Sequence, residues 1–236
     1  MIIQAFLPDQ GFYQFEATNL TTDFHAHPAI EIIIALEGRF SVNGRQEHFD
    51  SVRGICINRQ VSHQLIAPDC RFQLMMLEDL YWTQESLASI LPFSLEEEMI
   101  SFDPSVFAAD FAHHIPTPRQ LDLRVKEVAA FIQSHLTEQD LSLPALAERV
   151  HLSPSRLSHL FKVEMGQSLQ HFISWSRLKK CIQISLQNGI HLQEAALEAG
   201  FFDPPHFSRR FKQFFGIKAS ATYNSQIVQE SGRDTD

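Results

Sequence analysis

Residues 192–212 read LQEAALEAGFFDPPHFSRRFK, and residues 143–162 read LPALAERVHLSPSRLSHLFK. Each stretch predicts a short helix, a tight turn and a second helix. Asp203 and Ser153 are good N-cap residues, and each precedes a proline, which suits the first turn of a helix. Gly200 allows the left-handed backbone conformation that a tight turn needs. The C-terminal half is therefore predicted to repeat one helix pair twice.

The second helix of each pair is predicted to have an apolar inner face and a polar outer face. Leu157 and Phe161 form the inner face of one helix, and Phe207 and Phe211 that of the other. The outward-facing residues are hydrogen-bonding or cationic, as base edges and phosphates require. They are Ser155, Arg156, Ser158, His159 and Lys162 in the first helix, and His206, Ser208, Arg209, Arg210 and Gln213 in the second.

A single helix pair of this kind favours an ordinary helical bundle with a solvated face. Two pairs with matching caps, turns and outward chemistry favour a DNA-binding protein instead. The helix predicted between them, roughly residues 169–187, is then a rigid spacer. It would hold two recognition helices toward successive major grooves, about 34 Å apart.

Residues from about 122 to 223 resemble the DNA-binding domain of the AraC/XylS family. The resemblance rests on Leu146-Ala147, Leu152-Ser153-Pro154-Ser-Arg156-Leu157, Phe161-Lys162, Arg177-Leu178, Gly200-Phe201, His206-Phe207-Ser208-Arg209 and Gly216. The chain departs from the family pattern at His151, where a glycine is usual, and after Gly216, where no proline follows. The resemblance implies binding to double-stranded promoter DNA, activation through RNA polymerase and a homodimer, with the ten outward-facing residues in the recognition helices.

The charge distribution agrees with a DNA-binding C-terminal half. Residues 1–120 contain 6 Lys and Arg against 16 Asp and Glu, whereas residues 121–236 contain 13 against 12. The net charges are −10 and +1, which sum to the −9 of the whole chain. An acidic half joined to a mildly basic one favours nucleic-acid contact by the basic half.

The first 78 residues or so predict short strands. Runs rich in β-branched and aromatic residues, such as residues 30–36 and 72–77, alternate with turn residues. Asn43-Gly44 predicts a hairpin with a type I′ turn, since both residues tolerate positive φ. Helices are predicted over residues 82–91 and 104–114. The segment 81–115 is interpreted as a helical dimerisation segment, residues 116–121 as a linker, and residues 226–236 as a disordered tail.

The densest chemical cluster in the first half is His25-Ala-His27-Pro-Ala-Ile-Glu31. On a strand, even spacing would turn all three side chains to one face, and His63 falls near a later strand. Three imidazoles and a carboxylate suit Zn, Ni, Mn, Fe or Cu. The spacing, with Gly38 seven residues after Glu31, resembles the first motif of the cupin superfamily, although Asn58 and Gln60 replace residues of its second motif. Metal binding, an effector-lining role without metal, and a purely structural role all stay open.

Together these observations predict an α+β protein with a cupin-like β-barrel, or jelly roll, over residues 1–80. An all-α domain with two helix-turn-helix units follows over residues 122–225. The expected function is that of a cytoplasmic, sequence-specific transcription regulator, not an enzyme, whose first domain senses a small-molecule effector or a metal. No membrane contact is expected, because no long apolar run and no signal peptide are visible. The alternative from another class is a cupin metalloenzyme, such as a dioxygenase, fused to a helical region.

Overall fold

A computed structural model describes residues 2–88, 90–91, 94–107, 111, 118–137 and 140–222. The chain divides into two compact units, one of residues 1–119 with 212–236 and one of residues 120–211. The first unit is rich in strands and the second is helical, which confirms the predicted fold class. Among the helices that the structure describes, none has the length and apolar character needed to cross a membrane.

The described part of the first unit contains one antiparallel sheet of eight strands. The strands are β1 (Ile2–Leu7), β2 (Phe12–Thr21), β3 (Ala29–Glu37), β4 (Phe40–Asn43), β5 (His48–Val52), β6 (Gly54–Ile57), β7 (Gln64–Glu78) and β8 (Met99–Ser101). Their order is β1-β2-β7-β3-β6-β8, while β4 pairs with both β5 and β7. The 15 residues of β7 let it pair with three strands, so β7 organises the sheet.

Strand β3 explains why the apolar run of residues 30–35 is almost uninterrupted. Ile33 and Ala35 belong to a buried cluster with Phe40, whereas Ile30 and Ile32 belong to a second cluster with Trp82. Successive side chains of a strand point to opposite faces, so both faces of β3 are covered. Glu31 has the same parity as Ile33 and therefore lies on the face of the first cluster.

The segment after β7 differs from its predicted helices. It contains a short helix α1 (Gln84–Ala88), strand β8 and a 3₁₀ helix (Pro104–Val106) with Asp103 as its N-cap. Strand β8 pairs with β6, so the sheet extends beyond the predicted boundary at residue 80. Residues 108–110 and 112–117, which include six of the eleven residues of the predicted second helix and the first two residues of the predicted linker, lie outside the described residues.

The apolar residues of the predicted dimerisation segment, residues 81–115, pack inside the first unit. Leu87, Leu91 and Phe111 are buried, and Ile90 and Phe107 pack against the same cluster as Trp82. Their hydrophobic surface covers the second face of the sheet within one chain, and the dimerisation role of residues 81–115 stays a prediction. A homodimer stays an expectation from the family resemblance.

The hairpin predicted at Asn43-Gly44 is present, but its turn is centred on Arg45 and Gln46, two residues further along. Asn43 still pairs with His48, and the Gly44 N–H donates to the Glu47 carbonyl oxygen at 2.8 Å. Neither Asn43 nor Gly44 has a positive φ. The longer turn removes the need for the type I′ conformation.

The helical region consists of α2 (Leu123–Ser134), α3 (Leu143–Arg149), α4 (Pro154–Met165), α5 (Leu169–Asn188), α6 (Leu192–Glu198) and α7 (Pro204–Phe215). Its core is lined by one face of each helix, as the apolar periodicity requires. The predicted inner residues Leu157, Phe161, Phe207 and Phe211 are all buried. Ala147 and Ala196 are at most 1% exposed, so the small side chains lie where the paired helices meet.

The two predicted turns use the left-handed region, as expected. His151 has φ 53° between α3 and α4, and Gly200 has φ 88° between α6 and α7. His151 is exposed, so its side chain meets no steric obstacle. Its free-energy cost is only that of an L-residue in the left-handed region. At Gly200 an added Cβ would collide with the Leu136 carbonyl oxygen, a backbone atom that cannot rotate away. Glycine is therefore required at position 200 and optional at position 151.

We expect Gly200→Ala to lower the free energy of unfolding by more than about 1–2 kcal/mol, since the left-handed cost adds to the backbone collision. His151→Gly should change it by less than about 1 kcal/mol, because relief of strain opposes the flexibility of glycine in the unfolded chain. Urea denaturation of both variants measures the difference. Equal stability of the wild type and the Gly200→Ala variant would contradict the close approach at Leu136.

Candidate metal centre and candidate nucleic-acid interface

Four polar side chains meet in the interior of the first unit. His25, His27, Glu31 and His63 are 7%, 2%, 4% and 1% exposed. Each offers a nitrogen or oxygen atom, and these four atoms all lie within 4.8 Å of one another. The structure thus brings together all four residues that the sequence analysis named as candidate metal ligands; we call them the histidine–glutamate cluster.

The cluster is assembled differently from the predicted strand alternation. Only Glu31 lies on strand β3; His25 and His27 lie in the connection between β2 and β3, and His63 precedes β7. His25 and His63 form an isolated antiparallel bridge with two backbone hydrogen bonds of 2.9 Å. The Gln60 N–H donates to the His27 carbonyl oxygen at 2.8 Å. Backbone pairing between loops therefore replaces the strand as the positioning element.

Backbone carbonyl groups orient all three imidazole rings. The Nδ1 atoms of His25, His27 and His63 lie 3.0, 2.9 and 2.9 Å from the carbonyl oxygens of Asp23, Ala29 and Val61. A carbonyl only accepts, so each Nδ1 donates a proton to it, and Nε2 of a neutral ring is then the atom with the lone pair that a metal can bind. Metal-binding histidines are held in this manner by an outer partner. Sequence reasoning missed these partners, since backbone carbonyls leave no residue signature.

The charges of the cluster follow from burial and mutual contact. Burial lowers the pKa of His25 to about 3, so that its ring is neutral near pH 7. Burial alone would raise the pKa of Glu31, but His63 and His27 hold it well below its ordinary value. Burial alone would lower the pKa of His63, but the Glu31 charge raises it. The cluster therefore presents an ionised carboxylate and a neutral His25 ring.

A first-row divalent cation fits this donor set, because imidazole nitrogens and a carboxylate oxygen suit Zn, Ni, Mn, Fe and Cu. His63 Nε2 lies 2.9 Å from Glu31 Oε2, yet among the described residues it has no partner with hydrogen-bond geometry. A buried ring nitrogen without such a partner is costly. His27 Nε2 lies 3.4 Å from Glu31 Oε2. This contact stabilises the fold even when no metal is bound.

Helix α4 presents its predicted polar face to solvent. Ser155, Arg156, Ser158, His159 and Lys162 are all exposed, whereas Leu157 and Phe161 between them are buried. The Ser153 hydroxyl accepts from the Arg156 N–H at 3.4 Å, as its predicted N-cap role requires. The five polar residues therefore form one continuous face of hydrogen-bonding and cationic groups.

Helix α7 presents a more mixed face. Arg209 and Gln213 are exposed, and His206, Ser208 and Arg210 are partly buried. The Asp203 carboxylate accepts from the His206 N–H at 2.6 Å and caps the helix. The His206 ring lies edge-on to Phe201, at 5.6 Å between centroids. Burial and the neighbouring arginines lower the pKa of His206, so this ring is a neutral hydrogen-bonding group.

Sequence comparison identifies the second half of the chain. Residues 146–225 match a family model described as a helix-turn-helix domain. The arabinose operon regulatory protein of Escherichia coli is 34% identical over 103 residues, which cover 42% of this chain and 34% of that protein. An uncharacterised HTH-type transcriptional regulator of Staphylococcus aureus is 31% identical over 121 residues, 48% of this chain and 16% of that protein. The matched regions thus span only 34% and 16% of the lengths of these two relatives.

Structure comparison extends the likeness to both units. ToxT from Vibrio cholerae O395 is similar with a TM-score of 0.58 and 12% sequence identity, over 89% of this chain and 96% of that one. A second ToxT structure, described as bound to an unsaturated fatty acid, has a TM-score of 0.57 and 11% identity over 89% and 93%. At such identity the likeness concerns the fold alone. It agrees with a sheet-rich unit followed by a helix-turn-helix region.

We expect Glu31→Ala to lower the free energy of unfolding by about 3–5 kcal/mol in buffer with a chelator, because it removes the carboxylate from a buried cluster of charged and polar groups. Glu37→Ala on the same strand is the matched control, since Glu37 is exposed and its ion pair with Arg71 is worth about 0–1 kcal/mol. Denaturant unfolding of the two variants compares them. Similar losses would show that the cluster has no special energetic role.

Proposed function

We propose, from the match of residues 146–225 to a helix-turn-helix domain model and from the AraC/XylS resemblance, that this protein is a sequence-specific DNA-binding regulator of transcription. The observation that carries the proposal is the pair of capped helices α4 and α7. Each places small polar and cationic side chains outward over a buried apolar face. Arginine binds phosphates and guanine edges with two parallel hydrogen bonds, glutamine binds adenine edges in the same way, and serine offers a single hydroxyl.

The spacing of the two helices supports binding to two successive major grooves. Helix α5, which connects the two helix pairs, has 20 residues and is therefore about 30 Å long. One turn of B-DNA measures about 34 Å. The recognition residues are Ser155, Arg156, Ser158, His159 and Lys162 on α4, and His206, Ser208, Arg209, Arg210 and Gln213 on α7. A bipartite site with elements about 10 base pairs apart follows from this geometry.

The first unit is the sensor in this proposal, and its ligand at the histidine–glutamate cluster is a divalent metal. Four donor atoms within 4.8 Å, three rings oriented by carbonyl groups, and a buried nitrogen without a hydrogen-bond partner support it. A bound ion would supply a positive charge that links three separate chain segments. An organic effector is the second candidate, since a ToxT structure is described with a bound fatty acid.

The remaining parts of the function follow from the family resemblance. The regulator acts as a homodimer and activates transcription through contact with RNA polymerase. A metalloenzyme is disfavoured, because the relatives of the second unit are described as transcription regulators. The acidic first half suits a sensor that must not bind DNA by itself, since its net charge of −10 repels phosphates.

Arg156→Ala and Arg209→Ala are each expected to weaken DNA binding by about 1–3 kcal/mol if the guanidinium contacts a base. Because the operator is unknown, the DNA is first selected from a random duplex pool with the wild-type protein. Fluorescence anisotropy at fixed salt then gives the affinities. Lys126→Ala, an exposed cation on α2, is the control and should bind as the wild type does. If an arginine variant binds DNA with unchanged affinity, that arginine does not contact the DNA. Failure to select any DNA would refute the proposed function.

Elemental analysis of the untagged protein tests the metal ligand. We expect near-stoichiometric metal in the wild type and its loss in a His25→Ala/His27→Ala double variant, which removes two of four ligands. His48→Ala/His191→Ala is the matched control, since both histidines are exposed and outside the cluster. Absence of metal from folded wild-type protein, even after dialysis against Zn²⁺ or Mn²⁺, would leave an organic effector or a structural role.

A further inference from the structure

A second cavity in the first unit combines apolar walls with two guanidinium groups. It measures about 280 Å³, and its lining includes Ile30, Trp82 and Leu95 as well as Arg59, Asp79 and Arg119. The three apolar residues are buried. All of these residues belong to residues 1–119, so the cavity lies within the first unit. It is separate from the histidine–glutamate cluster, none of whose residues lines it.

Arg59 and Arg119 converge on one carboxylate. The Nη1 atoms of Arg59 and Arg119 both contact Asp79 Oδ2. The Arg119 Nη1 atom lies 3.3 Å from this oxygen. The side chains are only partly exposed, at 37% for Arg59, 33% for Arg119 and 18% for Asp79. Burial and the nearby Arg119 lower the pKa of Arg59. Two cations share one anion here, so the cavity keeps an excess positive charge.

This positive charge stands out against its surroundings. Residues 1–120 contain only 6 Lys and Arg residues and carry a net charge of −10, yet two of the six line this cavity. Guanidinium groups bind carboxylates through paired, charge-assisted hydrogen bonds. They already hold one carboxylate, that of Asp79, in this position. A second anion would balance the remaining charge.

The apolar side chains that line the cavity indicate the chemistry of the rest of the ligand. Trp82 donates its indole N–H to the Gln10 carbonyl oxygen at 2.8 Å, so its polar atom is already satisfied. Ile30 and Leu95 add aliphatic surface. A volume near the lower end of ligand cavities admits only a small molecule. Apolar walls beside two guanidinium groups suit an aromatic or short aliphatic body with one carboxylate.

We propose that this cavity is a binding site for a small organic carboxylate. Arg119 is also the last residue of the first unit. Its N–H donates to the Leu80 carbonyl oxygen at 2.9 Å, which holds the Arg119 backbone against the segment that follows β7. A ligand that binds the Arg119 side chain would add a further restraint on the chain at this residue. This regulatory part rests on the proposed DNA-binding function, whereas ligand binding itself does not.

Isothermal titration of the full-length protein with sodium benzoate tests the site, with sodium chloride as the salt control. We expect saturable binding that Arg119→Gln or Arg59→Gln weakens about tenfold through loss of a charge-assisted hydrogen bond. Asp79→Asn should instead tighten binding about tenfold, because the competing internal carboxylate is neutralised. Arg45→Gln, an exposed arginine elsewhere in the sheet unit, should leave benzoate affinity unchanged.

The opposite signs of the arginine and aspartate variants separate a site from a general loss of folding. Absence of benzoate binding by both the wild type and the Asp79→Asn variant would overturn the proposal. Inorganic phosphate binding as tightly as benzoate would overturn its organic part, because phosphate makes no use of the apolar walls.

A second readout, the affinity for the selected DNA with and without benzoate, tests the regulatory part. We expect a change of at least threefold, and none in the Arg119→Gln variant. Benzoate binding with unchanged DNA affinity would refute only the coupling. Benzoate binding without any DNA binding would refute the proposed function and leave the ligand site.

Discussion

A buried carboxylate must be surrounded by groups that stabilise its charge, and Glu31 sets this constraint on the first unit. It is 4% exposed on strand β3, and burial alone would favour its neutral form. His63 and His27 stabilise the ionised form from two other chain segments. The bridge between His25 and His63 and the hydrogen bond from Gln60 to His27 hold those segments in place. One acidic residue on a strand thus requires two loops to be ordered together around it.

The helical region depends on a different constraint, the close approach of paired helices. Ala147 and Ala196 lie at the contacts, and Gly200 passes against the Leu136 carbonyl oxygen. Side-chain caps from Ser153 and Asp203 satisfy backbone N–H groups at the starts of α4 and α7. Close packing inside leaves the polar and cationic residues outside, so the same sequence pattern produces the core and the surface proposed to contact DNA.

The sheet unit contains two sites of different chemistry. The histidine–glutamate cluster contains an ionised carboxylate and three imidazole rings ordered by backbone carbonyl groups, and this donor set suits a metal cation. The cavity beside Trp82 has an excess positive charge and apolar walls, and it suits an organic anion. The cavity includes Arg119, at the end of the unit, whereas the cluster links β3 to the loops that precede it and β7. Two proposed inputs of opposite charge are therefore compatible within one sensor.

The sequence by itself determined the helical region, because its information is local. Caps, prolines, small residues and apolar spacing act within a few positions, so α4, α7, their turns and the exposed residues of α4 were predicted by number. It also identified the four cluster residues from the spacing of His25, His27 and Glu31. Only the tertiary structure decided how they meet, since His25 and His63 pair through loops rather than a strand. The tertiary structure alone also decided that Leu87 and Phe111 cover the sheet. It likewise decided that Arg59, Asp79 and Arg119 meet beside one cavity. Residues so far apart in the chain become neighbours only through long-range packing, which leaves no periodic signal in the sequence.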